Sequence, residues 1–450
     1  MTAVERAAAA PVDAALLPAL RRRTTGVLVA SQILGGLGVA TGIALSAVLA
    51  RQVSGTEALS GLAPTATVAG TAVLSMPMAA LMTARGRRPG LVLAYLVGAL
   101  GACVVVVAAR AGNYPLLLCG MAAFGGASSA NLQARFAAAD LAEPRRRARA
   151  ISNVVWATTI GAVLGPNIAA PAGRSVAGLD IPPAAGPFLW AAGIFVMAAV
   201  LVAVLLRPDP LLTARALAPQ EERSPQARSL RAGLAAVAAS PRARLALVTV
   251  AVSHTAMVSV MSMTPLDLTH HGASIDLIGL VISGHIAGMY AFAPLMGRLA
   301  DRVGRFSVAG LAAGLLAVAM FLAGTAGDSH GQTAAGLFVL GLGWSAGLVS
   351  GSALLTDSVP QSARAAAQGI SDLTMNTSAG FGGAIAGLIV AQASYAWLNA
   401  AAASLLVPLA ALVLSTRTGD RKAKGKAKGK GSEDRSRAAA EDGPPGVRQS

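Results

Sequence analysis

The sequence predicts an all-α membrane protein, with twelve transmembrane helices in two pseudo-symmetric six-helix bundles. Three observations carry this reading. Apolar runs of about 20 residues, the length that crosses a bilayer as a helix, recur along nearly the whole chain. Basic residues concentrate in alternate loops. The segment that follows the fourth run is echoed after the tenth.

Of the 450 residues, 54% are hydrophobic and 12% are charged, about half the charged fraction of a soluble domain. A lipid-embedded backbone must satisfy its own hydrogen bonds, which leaves helices or a closed barrel. The runs are continuous rather than alternating, so helices are expected. The net charge of +16 then reflects basic residues retained on the cytoplasmic side, and no nucleic-acid partner is expected. Cys103 and Cys119 lie in apolar runs, so no disulfide framework is expected. No nucleophile–base pair or phosphate loop is evident, and the chain is not read as an enzyme.

Residues 1–25 carry Glu5 and Asp13, and their basic cluster follows the weakly apolar part. This is not the order of a signal peptide, and the stretch reads as a cytoplasmic tail. Six spans follow at 26–50, 58–82, 90–110, 114–138, 151–173 and 187–206, forming an N-terminal bundle over 26–206. Residues 207–244 include "RPDP" and "PQEERSPQARS" and read as a cytoplasmic central loop. The second six spans, 245–268, 274–297, 306–326, 331–356, 366–390 and 394–415, form a C-terminal bundle over 245–416. Residues 417–450 are low-complexity and charged, and are expected to be a disordered basic cytoplasmic tail, within reach of membrane lipid.

With this topology, only Arg51, Arg110 and Arg174 of the 36 Lys and Arg residues fall on the outer side. That asymmetry predicts both termini in the cytoplasm of a bacterial cytoplasmic (inner) membrane protein. The internal repeat pairs "AADLAEPRRRARAISNVVWATTIG" (138–161) with "LLTDSVPQSARAAAQGISDLTMNTSAG" (354–380). Asp140 matches Asp357 and Pro144 matches Pro360. Two parallel repeats imply a pathway between the halves, with the substrate near the midplane.

The loop "GRLADRVGRF" (297–306) holds Gly297, Leu299, Ala300, Asp301, Arg302, Gly304 and Arg305. It resembles the major facilitator loop signature G-x-L-A-D-R-x-G-R-[RK]. The matching loop after the second span is degraded, with Ala79 for Gly and Thr83 for Asp, but it keeps Gly86, Arg87 and Arg88. The resemblance covers 26–416 and implies the major facilitator fold with alternating access. Asp301 is expected to cap or pair across helix ends, and the arginines to hold the intracellular gate. "GAVLGPNIAA" (161–170) partly resembles the fifth-span antiporter motif through Gly161, Gly165 and Pro166.

The seventh and eighth spans carry M-x-x-x-M and H-x-x-x-M. Residues four apart on a helix differ by about 40° in direction and share a face, so Met257 and Met261 form a stripe extended by His254, and His285 and Met289 form another. Both stripes fall near mid-membrane depth. Thioether sulfur favours Cu(I), imidazole suits copper in either oxidation state, and no carboxylate lies in these stripes. This pairing resembles the CalT family of major facilitator copper importers, linked to cytochrome oxidase assembly. The resemblance implies inward copper transport, ligation by Met257, Met261, His285 and Met289, and a cytoplasmic copper chaperone or oxidase assembly proteins as partners. No permanently bound cofactor is expected, copper being the substrate, and a monomer is expected.

Other polar groups have candidate roles. His270 and His271 read either as solvated residues of the outer loop or as a metal-capture site, and Met76, Met78 and Met82 either as packing or as an exit relay. Asp372 is an intramembrane carboxylate and a candidate for proton coupling. Arg135 is expected to snorkel to the inner surface. Trp156 and Trp344 are candidate cavity residues. Two readings compete with copper import. One is an organic-substrate carrier, either a drug/proton antiporter or a riboflavin importer. The other is a non-transporting copper sensor or assembly factor that signals through its tail.

Overall fold

The computed structural model describes residues 16–56, 59, 61–176, 178, 180–217 and 230–413. Its described elements are helical throughout, without strands. The first half comprises α1 (Leu17–Ser54), α2 (Leu62–Arg85), α3 (Arg87–Arg110), α4 (Tyr114–Asp140), α5 (Arg147–Ser175) and α6 (Gly186–Leu205). The second comprises α7 (Pro241–His270), α8 (Leu277–Val303), α9 (Arg305–Gly324), α10 (His330–Ser358), α11 (Arg364–Gln392) and α12 (Tyr395–Val413). Among the described residues, each of these except α5 lies in a segment both long and apolar enough to span a membrane. α5 has the length but dilutes its apolar residues with Ser152, Asn153, Thr158 and Thr159.

Helix ends follow local chemistry. Asn113, Ser240, Ser274, Ser329 and Ser394 each cap a helix by accepting a backbone N–H bond. α8 breaks at Ala291 and Phe292, where Pro294 supplies no N–H to the preceding turn. Gly86 and Gly304 adopt φ +97°, a left-handed conformation that favours glycine. They sit at the same place in the two halves, turning α2 into α3 and α8 into α9.

The halves repeat one packing scheme. α1 lies on α5 as α7 lies on α11, and α3 on α4 as α9 on α10. Each half has its own apolar core, and the second extends onto α5 through Ala148, Ile151 and Val155. The halves meet along α2–α11 and α5–α8. At the second seam Gly297 lies so close to α5 that a Cβ there would meet the Ala148 carbonyl oxygen at 2.8 Å.

Two expectations are corrected. Residues 17–25, read as part of a tail, belong to α1. The helix outruns the apolar stretch because Arg21 donates to the Leu141 carbonyl (2.8 Å) and to Glu143 (2.7 Å), at the end of α4. Within 207–244, read as a loop, Pro210–Leu217 and Leu230–Ala239 are helical. Asp209 starts the first by accepting from the Leu211 and Leu212 N–H groups. Residues 1–15, 218–229 and the basic tail 417–450 lie outside the described residues.

Candidate functional site

A cavity of about 520 Å³ lies between the two halves. It draws its walls from α1, α2, α4 and α5 on one side and α7, α8, α10 and α11 on the other. All five sequence-predicted ligands, His254, Met257, Met261, His285 and Met289, line it. The i, i+4 spacing therefore does put each stripe on one face, and the fold turns both faces inward.

The two histidines are held in opposite tautomers. The Trp344 Nε1–H donates to His254 Nδ1 at 2.9 Å, and an indole nitrogen only donates. His254 Nδ1 is thus an acceptor, and the proton of the neutral ring sits on Nε2. His285 Nδ1 lies 2.8 Å from the Leu337 carbonyl oxygen, which only accepts, so Nδ1 carries the proton. His285 Nε2 is left with its lone pair, buried and without a hydrogen-bond partner. That tautomer leaves His285 able to bind a metal ion or accept a donor. The arrangement of His254 leaves Nε2 a donor. Trp344 also packs edge-on against Tyr290, with ring centroids 5.4 Å apart.

Among the described residues, Arg135 is the only charged one in the cavity wall. It does not snorkel. It is 2% exposed and its Nη2 bonds Asp372 Oδ1 at 2.6 Å across the seam between halves. Burial is tolerated because a carboxylate answers the charge and the Phe136 ring lies 4.7 Å from the guanidinium carbon. Asp372 is fully buried and takes a second bond on Oδ2 from Gln133 Nε2 at 2.8 Å. Gln32, Asn131, Thr158 and Asn376 add neutral hydrogen-bonding groups to the wall.

From Gln133 the polar chain continues to the arginine-rich end. Its Oε1 accepts from Arg87 Nη1 at 2.9 Å. Arg87 is fully buried, bonds Asp140 through Nε at 2.8 Å, and reaches Gln368 of the other half through Nη2. The second half repeats the ion pair. Arg305 Nε lies 2.9 Å from Asp357 Oδ2, and Asp357 also pairs with Arg147 of the first half. Arg305 further donates to the Pro144 carbonyl. Asp301 accepts from the backbone N–H groups of Ala148 (3.2 Å) and Arg149 (3.0 Å), at the positive end of the α5 dipole, and lies 3.3 Å from Arg305. The arginine-rich end is thereby closed by bonds between the halves.

Other candidates fall outside the cavity. Arg302 is exposed, and the cross-half bonds of its loop come from Asp301 and Arg305. Gly86 sits so tightly that a Cβ would lie 2.6 Å from Asp209, which accepts from the Arg88 N–H at 2.7 Å. His271 lies near Asp267 and Asp328. Met78 and Met82 are buried, and Met82 Sδ faces Arg87 at 3.7 Å. Trp156 is 40% exposed and does not line the cavity. Among the described residues no group of three or more His, Cys, Asp or Glu is placed to hold a metal ion. The sequence reading missed Gln133, Gln368, Asn131 and Asn376. All four lie within four residues of the charged residues Arg135 and Asp372, which is the signal that points to them.

The sequence model of the Major Facilitator Superfamily matches residues 27–271 and 245–440. The chain is 36% identical over 398 residues to the uncharacterized MFS-type transporter YddS of Bacillus subtilis (strain 168), covering 88% of this chain and 91% of the relative. It is 28% identical over 394 residues to the riboflavin transporter RfnT of Brucella anthropi, covering 87% and 94%. Among solved structures, the transporter FucP in the outward conformation superposes with TM-score 0.70 at 15% identity, covering 86% of this chain and 98% of that one, a likeness of fold. The twelve-helix architecture, the paired halves and these matches together place the chain in the Major Facilitator Superfamily, as a multi-pass membrane transporter.

Proposed function

We propose that the protein is a secondary transporter that imports a small organic solute by alternating access, and that the solute has a planar ring and hydrogen-bond acceptors, as riboflavin does. The observation that carries this is the row of neutral hydrogen-bonding groups in the cavity wall, Gln32, Asn131 and Asn376, beside an Arg135 whose charge Asp372 answers. Such a wall offers hydrogen-bond donors to the acceptor oxygens of a solute. The amides of Gln32, Asn131 and Asn376 suit a solute with several donors and acceptors, and the Trp344–Tyr290 pair offers an aromatic surface. A volume of about 520 Å³ lies within the range of small-molecule pockets, about 300–1,000 Å³. The likeness to RfnT over 87% of the chain supports the riboflavin class. In this reading the arginine-rich end faces the cytoplasm of a bacterial cell and is closed, and the cavity loads from outside.

Copper import remains a second reading on one observation, the open Nε2 of His285 beside Met257, Met261 and Met289 in the same wall. Against it stands the His254 tautomer, which leaves Nε2 a donor. A copper chaperone or oxidase assembly partner belongs to this reading alone. The deciding experiment measures labelled riboflavin and radiocopper accumulation in one host that lacks uptake of both. Riboflavin uptake that depends on the protein and falls at least about tenfold in Asn376→Ala or Trp344→Ala supports the organic reading. Copper uptake that depends on the protein and is abolished in His285→Ala, without riboflavin uptake, replaces it.

A further inference from the structure

We propose that a second cavity, between the starts of α1 and α5 at the arginine-rich end of the first half, is a binding site for a phosphate-bearing anion. The site is separate from the central cavity and holds whichever solute that cavity carries. It has a volume of about 410 Å³ and is walled by α1, α5, and the end of α4 with the turn that follows. Four of its lining residues are arginines, Arg21, Arg22, Arg146 and Arg149, and one, Glu143, is a carboxylate. A concave wall with that excess of positive charge favours an anionic occupant.

The one carboxylate is already engaged. Arg21 donates to Glu143 Oε1 at 2.7 Å, and Arg146 Nε lies 3.8 Å from Oε2. Among the described residues, neither Arg22 nor Arg149 has a carboxylate within ion-pair distance. Arg149 is half-buried, and its Nε is shut off from solvent without a hydrogen-bond partner. Asp301 acts on Arg149 through space, but its oxygens are held by the Ala148 and Arg149 N–H groups and by Arg305. The first N–H groups of α5 are therefore occupied, and the receptor is made of side chains. Elsewhere the chain answers its buried guanidiniums itself, Arg87 with Asp140 and Arg135 with Asp372. Here two guanidiniums, one from α1 and one from α5, are left unanswered. Each offers five N–H donors and no acceptor, in a planar fork that matches phosphate oxygens.

The position of the cavity fits an occupant that arrives from the arginine-rich side. On α1, Pro18 and Thr25 of this cavity stand two and one heptads before Gln32 of the central one. On α4, Ala138 and Ala142 follow Arg135 by three and seven residues, and on α5 Ala150 precedes Val154 by one turn. Those spacings keep a helix face, so the same three faces line both cavities. Thr25 lies about 10 Å along the axis from Gln32, toward the arginine-rich end. An anion therefore reaches the site without crossing the apolar middle of the bundle. Thr25 and Asn153 add a hydroxyl and an amide for phosphate oxygens that the guanidiniums leave over. The volume falls within the range of small-molecule pockets, about 300–1,000 Å³, and leaves room for an organic substituent on the phosphate. A soluble phosphate and the headgroup of an anionic lipid present the same oxygens to these arginines.

The test uses the full chain in a neutral detergent, with inorganic phosphate as the probe and thermal unfolding as the readout, because a ligand of the folded state raises the midpoint. Phosphate is expected to raise the midpoint above its value in chloride of equal ionic strength. Arg149→Gln and Arg22→Gln should each weaken the apparent phosphate affinity by about tenfold, the effect of losing one charge-assisted hydrogen bond. Arg231→Gln, at an exposed arginine outside the cavity, should leave it unchanged. Arg22 is exposed, so its variant carries the test if Arg149→Gln does not fold. A second arm compares nanodiscs of phosphatidylcholine with and without phosphatidylglycerol. If phosphatidylglycerol raises the midpoint, the rise is lost in both variants and phosphate then adds nothing, the occupant is a lipid headgroup. If phosphate acts equally in both lipids, it is a soluble anion. No response to either probe beyond that to chloride, or a response that both variants keep, overturns the proposal. No transported solute is present, so failure of riboflavin uptake and failure of this site are separate results.

Discussion

Arg305 and Asp357 lie 2.9 Å apart near the arginine-rich end of the second half, and their symmetry mates Arg87 and Asp140 lie 2.8 Å apart in the first. The geometry is repeated, but the environment is not. The Arg87–Asp140 pair is 0% exposed on both sides, whereas Arg305 and Asp357 are 16% and 26% exposed. Truncating Arg87 strands a buried carboxylate and the Gln133 amide, a loss of about 3–5 kcal/mol. Truncating Arg305 lets water reach Asp357, and Arg147 still answers it, so about 1 kcal/mol is lost. Arg87→Ala is thus expected to lower the unfolding midpoint in detergent far more than Arg305→Ala. Equal shifts would mean that the buried network is not a structural element.

Gly297 tests the seam between α5 and α8. A Cβ there would press on the Ala148 carbonyl and on Ser152, both backbone-fixed or short. Gly297→Ala is expected to push the helices apart at the closed end and so favour opening. Overpacking of this kind costs about 1–3 kcal/mol, enough to change the open population by about fivefold to 150-fold. Accessibility of a cysteine at Val303 to a membrane-impermeant thiol reagent from the arginine-rich side should rise. An unchanged rate would show that the seam relaxes without moving the gate.

Much of this was legible in the sequence, and the remainder fails for identifiable reasons. Span positions follow from apolar length because lipid allows little else. Gly86 and Gly304 were legible as motif positions, and their shared φ of +97° is what the repeated loop encodes. The Met and His stripes were legible as faces, since i, i+4 spacing is local. What those faces meet was not. Arg135 and Asp372 are 237 residues apart, so no spacing rule joins them, and an isolated arginine near a helix end reads as a snorkelling one. The start of α1 was misplaced for a related reason: Arg21 looks like a tail residue until the end of α4 supplies Leu141 and Glu143.

The Trp344–His254 bond gives a prediction about affinity. Trp344→Phe keeps an aromatic ring in the wall but removes the donor, leaving His254 Nδ1 unsatisfied and its tautomer unfixed. A lost buried hydrogen bond of this type is worth about 1–3 kcal/mol. If His254 Nε2–H is a donor to the bound solute, riboflavin KM should rise by about tenfold with little change in kcat, the signature of a group that binds ground and transition states alike. His254→Ala should match it, and the double variant should add little to either. Additive effects would mean that the two residues act on the solute independently.

Asp301 offers the last prediction, on the electrostatics of the gate. It accepts from Ala148 and Arg149 at the first turn of α5 and also faces Arg305. Asp301→Asn preserves the size and one acceptor but removes the charge that complements the helix dipole, a term of about 0.3–1 kcal/mol that salt screens. The substitution should therefore loosen the closed gate modestly, by a few-fold in the open population, and should abolish most of its dependence on ionic strength. The distance between spin labels at Arg145→Cys and Val303→Cys, exposed positions on opposite halves at the arginine-rich end, recorded at low and high salt, measures both quantities. If Asp301→Asn retains the salt dependence of the unmodified protein, the dipole contact is not what holds α8 to α5, and the Arg305 and Arg147 pairs with Asp357 carry the closure instead.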